Sequence, residues 1–238
     1  MMPPKSRLGA GMGRYDVHVG VEGEYEPGSR GRVLRNLLGI KSKREMDKME
    51  ADALVEAQEH VLHVFDANAR LTAEKIQGMH ETWLGRIYEW AGRYRTVEMA
   101  KAGFVWPPAR LVSQNMDALE RQFLIPSTPC RAKRVEEIAR ILARIQAEFL
   151  LVHPFREGNG RMARWICDLM AMQAGHRPLE YQFAGRGGTS NSKAYLRGVI
   201  SGYGGDYDPL AIFLEGAINR ADLRALRDDN LSPRTPSK

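Results

Sequence analysis

Residues 135–170 read VEEIARILARIQAEFLLVHPFREGNGRMARWICDLM, and how this stretch divides decides the fold. Val135, Ile138, Ile141, Leu142, Ile145, Phe149 and Val152 recur at helical spacing, with Glu136, Glu137, Arg140, Arg144 and Glu148 on the opposite face. That pattern predicts an amphipathic helix with one side in a core. Met162, Trp165, Ile166, Leu169 and Met170 repeat it until Gly175, predicting a second helix that begins near Gly160 or Arg161. Between the two lies HPFREGNGR at 153–161, where a proline and two glycines force a sharp turn.

The same rules extend outward. Residues 1–30 are rich in Gly and Pro without a period, which predicts a flexible or loosely packed arm. RVLRNLLGI at 32–40 predicts a short helical turn ended by Gly39. Ser42 caps a predicted helix to about residue 66, and Thr72 caps another whose apolar spacing runs through Tyr88 to a stop at Gly92. In YRTVEMAKAGFVWPP, β-branched and aromatic residues flank Lys101-Ala102-Gly103, the pattern of a short hairpin. Helices follow over Leu111–Leu124, Ser192–Ser201 and Pro209–Leu226, IPSTPC at 125–130 is a loop, and 227–238 is a disordered tail. With neither internal repeat nor βαβ alternation, the expected fold is an all-α bundle with one β-hairpin, a single domain over 31–226.

A chain of 238 residues, 43% hydrophobic and 27% charged, is long enough for one ample core. No stretch approaches the roughly 20 apolar residues of a membrane span, and the basic N-terminus lacks the apolar centre of a secretory signal. Two cysteines, Cys130 and Cys167, exclude a disulfide framework and a thiolate metal site. The expected home is a reducing cytoplasm, with delivery as a secreted effector the other route. The net charge of +6 suits a polyanion, but its cations are scattered among carboxylates with no reader motif, so neither nucleic acid nor membrane is the expected partner.

The junction gathers chemistry. Gly158 and Gly160 allow a tight turn, and the first amides of the following helix point into it, where the helix dipole favours an anion. Arg161, and Arg164 one turn later, add positive charge suited to phosphate oxygens. A carboxylate at Glu157 would repel a bare phosphate, and Mg²⁺, held by one or two carboxylates plus substrate phosphates, removes the conflict. His153, with an ordinary pKa near 6.5, is placed to take a proton from a hydroxyl. Phe155 is the predicted apolar anchor. The set reads as nucleotidyl or phosphoryl transfer.

These residues carry a resemblance. HPFREGNGRMAR at 153–164 is similar to the signature of Fic-domain proteins, His-Pro-Phe-x-Asp/Glu-Gly-Asn-Gly-Arg-x-x-Arg, at every defined position. WLGRIYEWAGRYRTV at 83–97 resembles the segment leading to that family's hairpin flap, and YDPLAIFLEGAI at 207–218 its closing helix. The likeness covers roughly residues 45–220. It implies transfer of AMP from ATP to a Tyr, Ser or Thr hydroxyl of a target protein. His153 would be the general base and Phe155 the motif anchor, while Glu157 would hold Mg²⁺ (or Mn²⁺) on the α- and β-phosphates. Gly158, Asn159 and Gly160 would form the anion nest, Asn159 also placing the α-phosphate, with Arg161 on the β-phosphate side and Arg164 on the γ-phosphate. Asn191 and Tyr195 would meet the adenosine. The flap, with Met99, Ala100, Lys101, Ala102, Gly103, Phe104 and Val105, would hold the target by strand addition. A family branch that phosphorylates its targets has lysine in place of Gly160, so this motif favours AMP transfer.

Many members also carry a self-inhibitory Ser/Thr-x-x-x-Glu-Gly/Asn helix whose glutamate pairs with the second motif arginine. Here AIFLEG at 211–216 has Ala211 at the hydroxyl position, so either a separate antitoxin-like inhibitory protein supplies the glutamate, the favoured reading, or the enzyme is not restrained this way. Transfer of UMP, phosphate or phosphocholine, and removal of AMP, are the enzymatic alternatives. A nucleotide-sensing or nucleic-acid-binding helical domain is the non-enzymatic one. His60 and His63, three apart, read as a surface pair, and His80 as a satisfied core residue.

Overall fold

The computed structural model describes residues 16–18, 21–64, 66–185 and 187–231. Residues 1–15 of the expected arm and 232–238 of the expected tail lie outside the described residues. The long predicted helix is present as α5, Val135–Val152, with Ile138, Leu142, Ile145 and Phe149 buried. Around it pack α3 (Val112–Leu119), α6 (Asn159–Gln173), α7 (Gly188–Tyr203) and α8 (Asp208–Leu231). A pair formed by α1 (Lys43–His63) and α2 (Ala73–Leu84) joins this bundle through α2 and α6. Both predicted caps are made: Ser42 Oγ accepts from the Glu45 amide at 3.4 Å and Thr72 Oγ1 from the Lys75 amide at 3.2 Å. Among the described residues no helix is long and apolar enough to cross a membrane.

The hairpin is also present, as β2 (Glu98–Lys101) and β3 (Phe104–Val105). Ala102 and Gly103 carry φ of 49° and 82°, the left-handed pair that a two-residue hairpin turn demands. Part of the expected loose arm joins it. Asp16–His18 forms β1, antiparallel to β2, giving a three-stranded sheet in the order β1-β2-β3.

Four further expectations are corrected. Residues 32–40 form no helix, because the Asn36 side chain takes the local backbone bonds: Oδ1 accepts from the Leu38 and Ile40 amides, and Nδ2 donates to the Leu34 and Ile40 carbonyls. The second capped helix ends at Leu84, and Ile87, Tyr88 and Trp90 reach the core from the turns that follow. The helix after Leu111 runs through a π-helical turn at Glu120–Leu124 into α4, Ile125–Ser127, so only the end of IPSTPC is loop. At the C-terminal end α8 continues past the expected Leu226 to Leu231, with no glycine or proline between Leu226 and Pro233 to stop it.

Candidate active site

The junction is held by backbone geometry before any ligand is considered. At the end of α5, His153 takes a left-handed φ of 52°, and Pro154 prevents the helix from resuming. Phe155 points inward, fully buried, and stacks on His80 with ring centroids 3.9 Å apart. Gly158 caps α6 at φ 86°, and a β-carbon there would lie 2.7 Å from the Trp83 ring, so the position admits glycine alone. Gly160 lies inside α6 with ordinary helical geometry, so what it contributes is an open surface beside the helix start.

Asn159 does something the sequence did not reveal. Its Oδ1 accepts from the Phe155 amide at 2.9 Å and its Nδ2 donates to the Phe155 carbonyl at 2.6 Å. Both ends of the side chain thus staple the loop to itself, and the second N–H of Nδ2 is left over by these two bonds. The amides of Asn159 and Gly160 have no acceptor among the described residues, as the first turn of a helix predicts, and they form the anion-seeking surface.

Charged groups converge on that surface. Glu157 is nearly buried; its Oε1 accepts from the Gly158 amide at 3.0 Å and lies 3.5 Å from Arg161 Nη2. The same Arg161 nitrogen donates to Glu50 Oε2 at 2.6 Å, and its guanidinium lies 4.5 Å from the Trp83 ring centroid. Glu50 Oε1 accepts from the Tyr88 hydroxyl at 2.6 Å. Glu50 is therefore a site residue that the sequence reading missed. Its signal was present: it falls four residues after Met46 and four before Leu54, a carboxylate on the apolar face of α1.

His153 is 4% exposed, beneath the Trp106 ring at 4.1 Å between centroids. Its Nδ1 bonds to the Leu150 carbonyl at 3.1 Å and must donate, which leaves the lone pair of the neutral ring on Nε2. A second missed residue sets the peptide of this histidine. Arg95, 2% exposed, donates from Nε to the His153 carbonyl at 2.7 Å, from Nη1 to Val97 O at 2.9 Å and from Nη2 to Pro107 O at 2.6 Å. The Arg95 amide also donates to Pro154 O at 2.8 Å. One buried guanidinium thus ties both feet of the flap to the histidine. In sequence its only trace is a charge among the apolar residues of 94–97.

His80 is core, as expected, and also supports the loop: Nδ1 accepts from the Gly92 amide at 2.9 Å and Nε2 donates to the Glu157 carbonyl at 3.2 Å. Arg164 stands apart from Arg161, its guanidinium 5.5 Å from the Phe183 ring centroid and 5.9 Å from that of Tyr181. It makes no ion pair among the described residues. Tyr195 lies in the same aromatic group, 5.2 Å from Phe183, while Asn191 donates to the Gln182 carbonyl at 3.2 Å. The flap splits by burial: Met99 is enclosed, whereas Lys101, Ala102, Gly103, Phe104 and Val105 face solvent. His60 and His63 are both exposed in the last turns of α1, where a surface pair belongs.

Burial holds His153 at about 3 and His80 at about 4, both neutral at pH 7, and raises Asp168 to about 7. Between pH 6.5 and 4 the unfolded chain charges both imidazoles, while the folded chain keeps them neutral and keeps a proton on Asp168. The unfolded state then holds about one extra proton from these groups, so stability falls toward acid by at most about 1.4 kcal/mol per pH unit. Denaturant midpoints at pH 7 and pH 5 check this, and a higher midpoint at pH 5 contradicts it.

A model described as "Fic/DOC family" matches residues 70–171. "Protein adenylyltransferase VbhT" of Bartonella schoenbuchensis is 26% identical over 144 residues, 60% of this chain and 30% of that protein. "Probable protein adenylyltransferase y4lH" of Sinorhizobium fredii is 26% identical over 188 residues, 75% of this chain and 88% of that protein. The chain thus spans less than a third of the first relative and most of the second. Among solved structures, the N-terminal FIC domain of Bep8 from Bartonella sp. 1-1C matches with a TM-score of 0.68 and 19% identity, over 82% of this chain and 94% of that one. BepC of Bartonella tribocorum, solved with bound AMPPNP, matches at a TM-score of 0.64 and 20% identity, over 77% and 91%. At these identities the structures establish a shared fold.

Proposed function

We propose, from the premise that residues 70–171 form a Fic/DOC family domain, that the chain is a protein adenylyltransferase, moving AMP from ATP to a Tyr, Ser or Thr hydroxyl of a target protein. One observation carries the reading. The lone-pair nitrogen of a buried neutral histidine, the first amides of α6, Glu157 and Arg161 all belong to one loop locked from beneath by Phe155, Asn159 and His80.

The residues divide the work as in-line displacement at phosphorus requires, by positioning and charge stabilisation. The α6 amides and Arg161 receive the phosphates. His153 Nε2 takes the hydroxyl proton of the target as its oxygen bonds to the α-phosphorus, the α–β bridging bond breaks, and pyrophosphate leaves. Glu157 is the carboxylate that would hold a divalent ion, beside the free amides at the start of α6, because Mg²⁺ needs only one or two carboxylates besides substrate phosphates. Bound there, Mg²⁺ (or Mn²⁺) would neutralise charge on the leaving phosphates. Gly160, without a side chain, leaves the helix start open. Tyr195, Asn191 and Arg164 are assigned the adenosine and γ-phosphate side. The exposed flap is assigned the target backbone, by strand addition.

Ala211 stands where the self-inhibitory helix of other members carries Ser or Thr, so a separate antitoxin-like protein is assigned as the source of the carboxylate that would pair with Arg164. Two buried cysteines outside any disulfide suit a cytoplasmic site of action. Transfer of label from α-labelled ATP to protein in the presence of Mg²⁺ tests the whole reading.

A further inference from the structure

The flap strand β2 has two edges, and both are taken. Trp106 N–H donates to Met99 O at 3.1 Å, so the Met99 backbone faces the β3 side. Because backbone groups alternate along a strand, Glu98 and Ala100 face the other way. There the chain's own β1 pairs with them in the register Asp16↔Ala100, Val17↔Met99 and His18↔Glu98. We propose that this edge of β2 is the docking edge for the target's extended segment, that β1 holds it as an internal competitor, and that a target binds by displacing residues 16–18. The proposal rests on the strand-addition reading of the flap given above.

Three observations favour the β2 edge over the outer edge of β3. β2 is the longer strand, four residues, and Arg95 ties both it and the foot of β3 to the catalytic loop through Val97 O, Pro107 O and His153 O. Lys101, at the end of β2, contributes to the electrostatic environment of the His153 ring. The other candidate, β3, has only two residues, both exposed, and a strand on its far edge would stand a full strand spacing, about 4.8 Å, further from β2. A peptide that adds to β2 therefore lies directly on the longer strand, and one on β3 a strand further out.

The segment that follows β1 is anchored in the same place. Glu22 accepts from the Thr96 amide through its carboxylate at 3.1 Å, and its carbonyl accepts from Arg156 Nε at 2.9 Å. Glu22 thus bridges the foot of the flap and the motif loop, which keeps β1 beside its edge at high effective concentration. The pairing itself spans only three residues, short enough for a longer strand to displace.

The test uses the full chain and its Asp16→Pro/His18→Pro variant. Residues 16 and 18 oppose Ala100 and Glu98, and proline removes the amide hydrogen each would offer. Hydrogen exchange at the Glu98 and Ala100 amides should be at least about tenfold faster in the variant, with Met99 and Lys101 unchanged. A synthetic peptide GRYDVHVG, residues 13–20, added to the variant should restore the protection. Equal exchange in the two chains, or a peptide without effect, overturns the pairing. With a Glu/Tyr copolymer as acceptor and α-labelled ATP, the variant should transfer label at least about fivefold faster, and an unchanged rate overturns the competition. If neither chain labels any acceptor, the transferase reading fails, while the exchange measurement still decides the pairing.

Discussion

Replacing His153 by alanine is expected to lower AMP transfer by about 10²–10⁴-fold, the range that a general base in proton transfer commands. Nucleotide binding should survive, because the α6 amides, Glu157 and Arg161 owe nothing to the imidazole. The split between lost turnover and retained affinity identifies a base, and calorimetry with a non-hydrolysable ATP analogue checks it. With the ring held at about 3 by burial, the transfer rate of the native chain should show no acid limb near pH 6.5 and should fall only below about pH 5. An acid limb at 6.5 would mean that the histidine is solvated as it works.

Replacing Arg95 by methionine is expected to be the second large effect. Methionine keeps the apolar stem of the arginine but carries no donor, so the carbonyls of His153, Val97 and Pro107 would lose theirs inside the protein. Each buried acceptor left unmade costs about 1–3 kcal/mol, so the loss in stability should be on the order of 3–5 kcal/mol. At a temperature where the variant stays folded, transfer should still fall by about 10²-fold, since a displacement near 1 Å at the reacting groups has that cost. Affinity for the ATP analogue should change far less, because Arg95 touches the histidine peptide and the flap but none of the α6 amides. A variant that loses stability and keeps its turnover would reduce Arg95 to scaffolding.

What could be read in the sequence followed from periodicity and from caps. The apolar spacing of 135–152 gave both ends of α5, and Ser42 and Thr72 marked the starts of their helices, because those signals act within one turn of chain. The failures were tertiary. Nothing local says that Asn36 will take over the bonds of a helical turn, or that Tyr88 and Trp90 will reach the core from turns after Leu84. The motif located the site, while the use of each residue depended on partners distant in the chain. Glu50, 111 residues before Arg161, binds its guanidinium, and Arg95, 58 residues before His153, binds its carbonyl. The resemblance implied a phosphate role for Asn159, and its two bonds to Phe155 add a loop-stapling role that no local pattern announced. The pairing of residues 16–18 with the flap joins segments 80 or more residues apart, a separation at which local composition is silent.

The central claim is that this loop moves the α-phosphorus of ATP, with its nucleoside, onto a protein hydroxyl. Parallel incubations with α-labelled and γ-labelled ATP, Mg²⁺ and an acceptor protein test it most directly. The account predicts covalent label from the α-position alone, with a mass gain of one AMP on the acceptor. Label from the γ-position, or a mass gain of one phosphate, would contradict it.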